Sequence, residues 1–210
     1  MPRGKFIVID GGEGAGKTTF IRSIPELFPD RQICLVREPG GTLVGEDVRR
    51  LLFEKGPKPL TEFLLFWSAR AQLMKEVVMP ALDSGVHVVT DRFDSSTHAY
   101  QLVARNNPGW RTLFYEMRRI CLEGYAPDVY VIFDGDPEVF LSRRHVDSTE
   151  TINRFDREKL DFHRRVRRGF NEFIEQFPHD VVDAERPPDD VRKSASEIIR
   201  RVLEGTWRPA

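Results

Sequence analysis

Short apolar runs alternate along this chain with longer stretches of helical period. The runs are Phe6–Asp10, Ile33–Arg37, Val86–Asp91, Val129–Asp134 and Asp180–Asp183. Most are continuous rather than alternating, as expected of strands buried on both faces of a parallel sheet. Between them the spacing of apolar positions predicts helices over Lys17–Ile24, Val44–Phe53, Thr61–Ser84, Arg111–Glu123, Pro137–Arg144, Asp156–Phe177 and Asp189–Leu203. Pro25 and Pro29 are expected to end the first helix early, because proline lacks an N–H and clashes with the preceding turn. Pro187-Pro188 suits the start of the last helix. Strand and helix in alternation mark a doubly wound α/β fold. No Pro/Gly/Ser-rich linker interrupts the pattern, so residues 1–210 are read as one domain.

In such a fold ligands gather at the carboxyl ends of the strands. Polar residues cluster there: Asp10 and the glycines after it, Arg37-Glu38 after the second run, Asp91-Arg92 after the third. The first cluster continues as Gly11-Gly12-Glu13-Gly14-Ala15-Gly16-Lys17-Thr18-Thr19, a complete G-x-x-x-x-G-K-[ST] phosphate loop between a predicted strand and a predicted helix. Glycine lets the backbone turn tightly and aim N–H groups inward, and the helix N-terminus adds positive potential. Lys17 is expected to reach the β- and γ-phosphates of ATP or GTP, and the Thr18 hydroxyl to hold Mg²⁺. The chain has neither the Asn-Lys-x-Asp motif that reads guanine nor the Leu-Ser-Gly-Gly-Gln signature of ABC-type ATPases. A small phosphotransferase remains.

Composition refines this in one respect. Lys plus Arg number 32 and Asp plus Glu 33, a formal net charge of −1. That balance argues against a general binder of nucleic acid or anionic membrane. The cations are lopsided, with 25 Arg and 7 Lys. Between Arg143 and Arg168 stand nine positive and five negative residues, a local excess of +4. Arginine suits planar, bidentate phosphate binding. Cys34 and Cys121 make no disulfide framework and are read as small hydrophobes, which fits a reduced, cytoplasmic setting. The five His show no metal-ligand spacing. No segment is long and apolar enough to span a membrane.

A phosphotransferase needs a second site for its acceptor, and three segments offer one. Arg37-Glu38-Pro39-Gly40-Gly41-Thr42 is followed by Arg49. Phe63–Arg70 places Phe66 and Arg70 four residues apart on one helix face, a pairing that suits a flat heterocycle. Asp91-Arg92-Phe93-Asp94-Ser95-Ser96-Thr97-His98-Ala99-Tyr100-Gln101 follows the third run.

With GGEGAGKTT, REPGGT, GEDVRR, LLFWSAR, DRFDSSTHAYQ and RFDREKLDFHRRVRRGF in that order, over residues 5 to about 205, the chain resembles the thymidylate kinase family of bacterial type. The resemblance implies a P-loop nucleoside-monophosphate kinase fold: a five-stranded parallel sheet flanked by helices, with a small lid at about 143–154. It implies transfer of the γ-phosphoryl group from ATP to dTMP with Mg²⁺, usually in a homodimer. The alternatives are a kinase for another deoxynucleotide such as dUMP, or a nucleotide-binding protein without turnover.

Carried over by position, the resemblance implies that Phe66 stacks on thymine and Arg70 bonds its carbonyl. Arg92, Arg49 and Arg37 would grip the acceptor phosphate. Thr97 and Gln101 would reach the base edge, and Tyr100 would disfavour a ribose hydroxyl. Glu13 would lie near the acceptor sugar or the metal, and Asp91 would support Mg²⁺. The loop carries no Arg, so a lid arginine (Arg143, Arg144 or Arg154) would reach the transferring phosphoryl. Arg164, Arg167 and Arg168 are read as a solvated helix face. Leu102 and Asn106 stand where the family usually has Gly, and Phe170 where many members have Tyr.

Overall fold

We describe a computed structural model of the protein that covers residues 2–146, 155 and 158–209, with the side chains of residues 144–146 left out. Its centre is one five-stranded parallel sheet: β1 (Phe6–Gly11), β2 (Ile33–Arg37), β3 (His87–Asp91), β4 (Val129–Asp134) and β5 (His179–Asp183). The strand order is β2-β3-β1-β4-β5. The observed strands match the apolar runs to within a residue or so at each end. Successive strand residues point to opposite faces, so the inner strands β1, β3 and β4 each feed two cores. Phe6 and Val8 join Trp67, Phe114 and Phe173 on one side, while Ile7 and Ile9 join Phe20, Ile24 and Ile199 on the other. This two-sided burial is why the runs are continuous.

The first of these cores is covered by α3 (Pro59–Leu73), α5 (Asp94–Thr97), α6 (Arg111–Leu122) and α8 (Leu160–Ile174). The second is covered by α1 (Lys17–Leu27) and α9 (Pro188–Leu203). Helix α2 (Leu43–Glu54) lies along α3, and α7 (Pro137–Val146) follows β4. A π-helical turn, Met74–Val78, joins α3 to α4 (Met79–Asp83), which together fill the predicted Thr61–Ser84 helix. Helix α5 likewise runs on through a π-helical segment, His98–Ala104.

The first helix corrects the sequence reading. It continues through Pro25 to Leu27 rather than stopping at Ile24. Proline removes only one hydrogen bond near the end of a helix, and the buried Phe20, Ile21 and Ile24 hold the turn against the sheet. Pro188 takes the first position of α9, as expected. Among the described residues, no helix is long and apolar enough to cross a membrane.

β1 lies between β3 and β4, so the connections leaving it and reaching β4 go to opposite sides. A crevice opens at the carboxyl end of such a strand. Gly11 through Thr18 enter that crevice.

Candidate active site

The phosphate loop leaves β1 and opens α1. Gly16 caps the helix with φ 85°, in the left-handed region, where a residue with a Cβ is strained. A Cβ on Gly11 would meet the Phe133 carbonyl oxygen at 2.3 Å, so this close approach to β4 requires glycine. Lys17 folds back over the loop and donates to the Gly12 carbonyl at 2.6 Å. It is buried, and burial, then the charge of Arg92, pushes its pKa down to about 8. Ala15 is buried behind the loop, and Thr19 is exposed. The Thr18 hydroxyl donates to Asp91 Oδ2 at 3.3 Å. A hydroxyl beside a carboxylate is a hard, all-oxygen donor set that fits Mg²⁺.

Asp10, the last apolar-run residue of β1, is fully buried and organises the next layer. Its carboxylate accepts from the Gly11 N–H at 2.9 Å, Ser95 Oγ at 2.6 Å and Ser96 Oγ at 2.8 Å. Arg92 sits against it, with Nη1 3.3 Å from Asp10 Oδ1. The same nitrogen donates to the Gly11 carbonyl and to Ser96 Oγ, each at 3.1 Å. Arg92 Nη2 meets Glu13 Oε1 at 2.9 Å, and the Tyr100 hydroxyl donates to the same oxygen at 3.2 Å. Arg92 has φ 68°; a non-glycine residue held there costs ~1–2 kcal/mol, supplied by its surroundings. Burial works against its charge, but Glu13, Tyr100, Asp10 and Asp91 hold its pKa well above the usual value. Arg92 and Glu13 therefore join the loop to the end of β3.

The predicted heterocycle pair lies on α3. Arg70 is buried, and its Nε and Nη2 donate to Glu38 Oε2 at 2.9 and 2.5 Å. Nη2 also donates to Thr97 Oγ1 at 3.2 Å, while Nη1 is a buried donor with no partner. The guanidinium stacks over Trp67 and Phe93, at 4.5 and 5.0 Å. Phe66, one turn before Arg70, is half-buried. Burial pushes Glu38 up to about 7, against the pull of Arg70. Gln101 is buried, with Nε2 on Glu62 at 2.9 Å. Tyr100 is hemmed in edge-on by Phe155, Phe162 and Phe170. Its hydroxyl pKa is raised well above 10 by burial and by Glu13.

The remaining arginines are distributed differently. Arg49 donates to the Pro39 carbonyl at 3.0 Å and stacks over Phe53 at 4.8 Å. Burial and Arg37 lower its pKa. Arg37 is exposed at the sheet edge and forks onto both oxygens of Glu46 at 2.9 Å. Arg143 donates to the Ala184 and Glu185 carbonyls at 2.6 and 2.7 Å, which ties it to the turn after β5. Residues 147–154 of the predicted lid, Arg154 among them, and the Arg144 side chain lie outside the described residues. Among the described residues, Arg164 and Arg168 make surface pairs, with Glu138, Asp161 and Glu172. Arg167 departs from the solvated reading: it forks onto Asp134 at 2.8 and 2.7 Å, tying α8 to the end of β4. Cys121 is buried and Cys34 half-buried.

Sequence reasoning singled out Asp10, Glu38 and Asp94 by position but not the cations they hold, Arg92, Arg70 and Arg118, and it missed Glu62, which holds Arg105. Asp94 is fully buried and takes Arg118 Nε at 2.6 Å and the Tyr130 hydroxyl at 2.8 Å. For Asp10, Glu38 and Glu62 the available signal was an acid at the edge of an apolar run, where an unpaired charge would be costly.

A phosphate loop and an acceptor segment carrying Phe66 and Arg70, linked by Arg92 on a parallel sheet of this order, define the class of P-loop nucleoside-monophosphate kinases. A family model described as Thymidylate kinase matches residues 9–195. The chain is 38% identical over 210 residues to the thymidylate kinase of Halalkalibacterium halodurans, covering 97% of this chain and 99% of that one. It is 35% identical to those of Legionella pneumophila and Hahella chejuensis, covering 96% and 98% of this chain and 96% and 100% of theirs. The chain belongs to the thymidylate kinase family.

Proposed function

We propose that the protein transfers the γ-phosphoryl group of ATP to dTMP, giving dTDP and ADP. The observation that carries this reading is the junction of the two sites: Arg92 touches the loop at Gly11 and Glu13 while it leads the acceptor segment. Two anionic phosphates repel, so the work of such an enzyme is positioning and charge neutralisation. Lys17 and the loop amides hold the donor. Thr18 and Asp91 would hold Mg²⁺, which neutralises phosphate charge when bound. Arg92, fixed by Asp10, Ser96 and Glu13, grips the acceptor phosphate, with Arg49 and Arg37 beside it. Phe66 stacks on thymine, Arg70 Nη1 donates to a ring carbonyl, and Thr97 and Gln101 line the base edge. Tyr100 crowds the 2′ carbon, and Glu13 would lie near the acceptor sugar or the metal. Arg143, Arg144 or Arg154 completes the charge on the transferring group.

Residues 1–210 form one kinase domain with its lid at about 143–154, working in the cytoplasm as a homodimer. Exposed Leu51 on α2 and Leu60 and Leu64 on α3 supply an apolar face for that dimer. The test is ADP formation by the purified protein with Mg-ATP and a panel of nucleoside monophosphates. dTMP should be the best acceptor, ahead of dUMP and every ribonucleotide. No ADP with any acceptor would refute the enzyme reading, and a faster ribonucleotide would refute the roles of Phe66, Arg70 and Tyr100.

A further inference from the structure

Two rungs join α3 to the segment that begins at Asp94. In one, Arg70 Nη2 donates to Thr97 Oγ1 at 3.2 Å; in the other, Gln101 Nε2 donates to Glu62 Oε1 at 2.9 Å. Glu62, Phe66 and Arg70 recur at four-residue spacing and so share one face of α3. Thr97 and Gln101 stand four apart on the facing segment. The aromatic ring assigned to stack on the base lies between the two rungs along the helix.

Glu62 is 1% exposed and sits directly before Phe63-Leu64-Leu65-Phe66-Trp67. A carboxylate in such a place is tolerated only when bonded. Besides Gln101 it takes Arg105, whose Nε lies 2.9 Å from Oε1 and Nη2 3.3 Å from Oε2. Arg105 is held in turn by stacking over Phe155 and Phe162. The acid is thus clamped, and both of its oxygens serve as acceptors, to Gln101 and to the Arg105 guanidinium.

That restriction sets the orientation of the Gln101 amide. Its NH₂ must face Glu62, which leaves the carbonyl Oε1 as the end available to a ligand. At the other rung the logic is reversed. Arg70 spends Nε and Nη2 on Glu38 and Thr97 and keeps Nη1 as an unpartnered buried donor. The two rungs then leave one donor, Arg70 Nη1, and one acceptor, Gln101 Oε1. A thymine or uracil ring shows the complement, a carbonyl beside a ring N–H. Cytosine shows the inverse, an amino group beside a bare ring nitrogen.

We propose that Glu62 is a positioning residue for base selection. It holds the Gln101 amide with Oε1 toward the base, so that oxo-pyrimidines are favoured over amino-pyrimidines. This rests on the acceptor site described under the proposed function and names the base feature that site reads. Reversing the amide would set two donors against the ring N–H and carbonyl, leaving a buried polar group unpaired.

Glu62→Gln keeps the shape of the side chain but can donate as well as accept, so it frees Gln101 to turn. The readout is kcat/KM for dTMP and for dCMP. The dTMP:dCMP ratio should fall about ten-fold, the worth of one hydrogen bond of this kind. KM for ATP should stay the same. In a Gln101→Leu background, Glu62→Gln should change the ratio no further. An equal loss for both acceptors, or an unchanged ratio, would overturn the proposal. Absence of dTMP turnover in the unmutated protein would remove the function, and this inference with it; turnover with an unchanged ratio would remove the inference alone.

Should Glu62→Gln not fold, the unmutated protein carries the test by NMR. The Gln101 NH₂ signals, identified by their loss in Gln101→Leu, should exchange slowly with solvent both before and after dTMP is added. Fast exchange that slows only with dTMP would place the NH₂ on the base and overturn the proposal.

Discussion

Lys17 is buried under the phosphate loop, with its pKa brought down to about 8 by burial and by Arg92. A triphosphate on the loop adds negative charge next to the ammonium and raises that pKa. The free protein therefore sheds the Lys17 proton as pH rises through about 8, and nucleotide must restore it. With the apparent Kd scaling as one plus the ratio of neutral to charged lysine, Mg-ATP should bind about ten-fold more weakly at pH ~9 than at pH ~7. The nucleotide phosphates are already ionised across that window, their last ionisation lying near ~6. Titration calorimetry in two buffers of different ionisation enthalpy measures both quantities: affinity should fall with pH, and proton uptake should appear above pH ~8. The Lys17→Met protein should bind weakly with no such slope. The same depression has a consequence for the fold. Between about 8 and the ordinary lysine value of 10.5 the unfolded chain holds more protons, so stability of the free protein should rise with pH over that window. The full effect is about 3 kcal/mol. A Kd constant from pH ~7 to ~9, or proton release on binding, would refute this account of Lys17.

Arg92→Ala should cut kcat/KM for dTMP by about a hundred-fold or more, the worth of a charge-assisted contact to phosphate, while the Kd for ATP changes much less; steady-state kinetics and nucleotide titration check the split, and unchanged dTMP kinetics would remove Arg92 from the site. Glu38→Ala leaves Arg70 buried without its carboxylate and should cost about 3–5 kcal/mol in urea denaturation, together with a higher KM for dTMP; a loss below ~1 kcal/mol would show that the pair is not a structural support for the base site. Leu51→Asp combined with Leu64→Asp should convert a dimer to a monomer in sedimentation velocity, and an unchanged sedimentation coefficient would move the interface away from the α2–α3 face.

The strands and the phosphate loop were legible in the sequence because a single local rule governs each. Continuous apolar runs mark strands covered on both faces, and Gly11 to Thr18 follow a spacing fixed by the backbone geometry they must adopt. Phe66 and Arg70 were legible as a pair because helical period places residues four apart on one face. What did not show was partnership across long sequence distance. Arg70 meets Glu38, Arg92 meets Asp10 and Glu13, and Gln101 meets Glu62. Each pair is made by the sheet order and by helix packing, not by local period. The run of Pro25 inside α1 was missed for a related reason: tertiary burial of Phe20, Ile21 and Ile24 outweighs one lost hydrogen bond. Arg167 looked like one of several solvated arginines until the end of β4 placed Asp134 beneath it.

The central claim is that one arginine-linked pair of sites moves a phosphoryl group between two nucleotides. ATP labelled at the γ-phosphorus, incubated with the protein, Mg²⁺ and dTMP, tests it most directly. The label should appear in dTDP in step with unlabelled ADP. Label recovered as free phosphate, or left in ATP, would contradict the account.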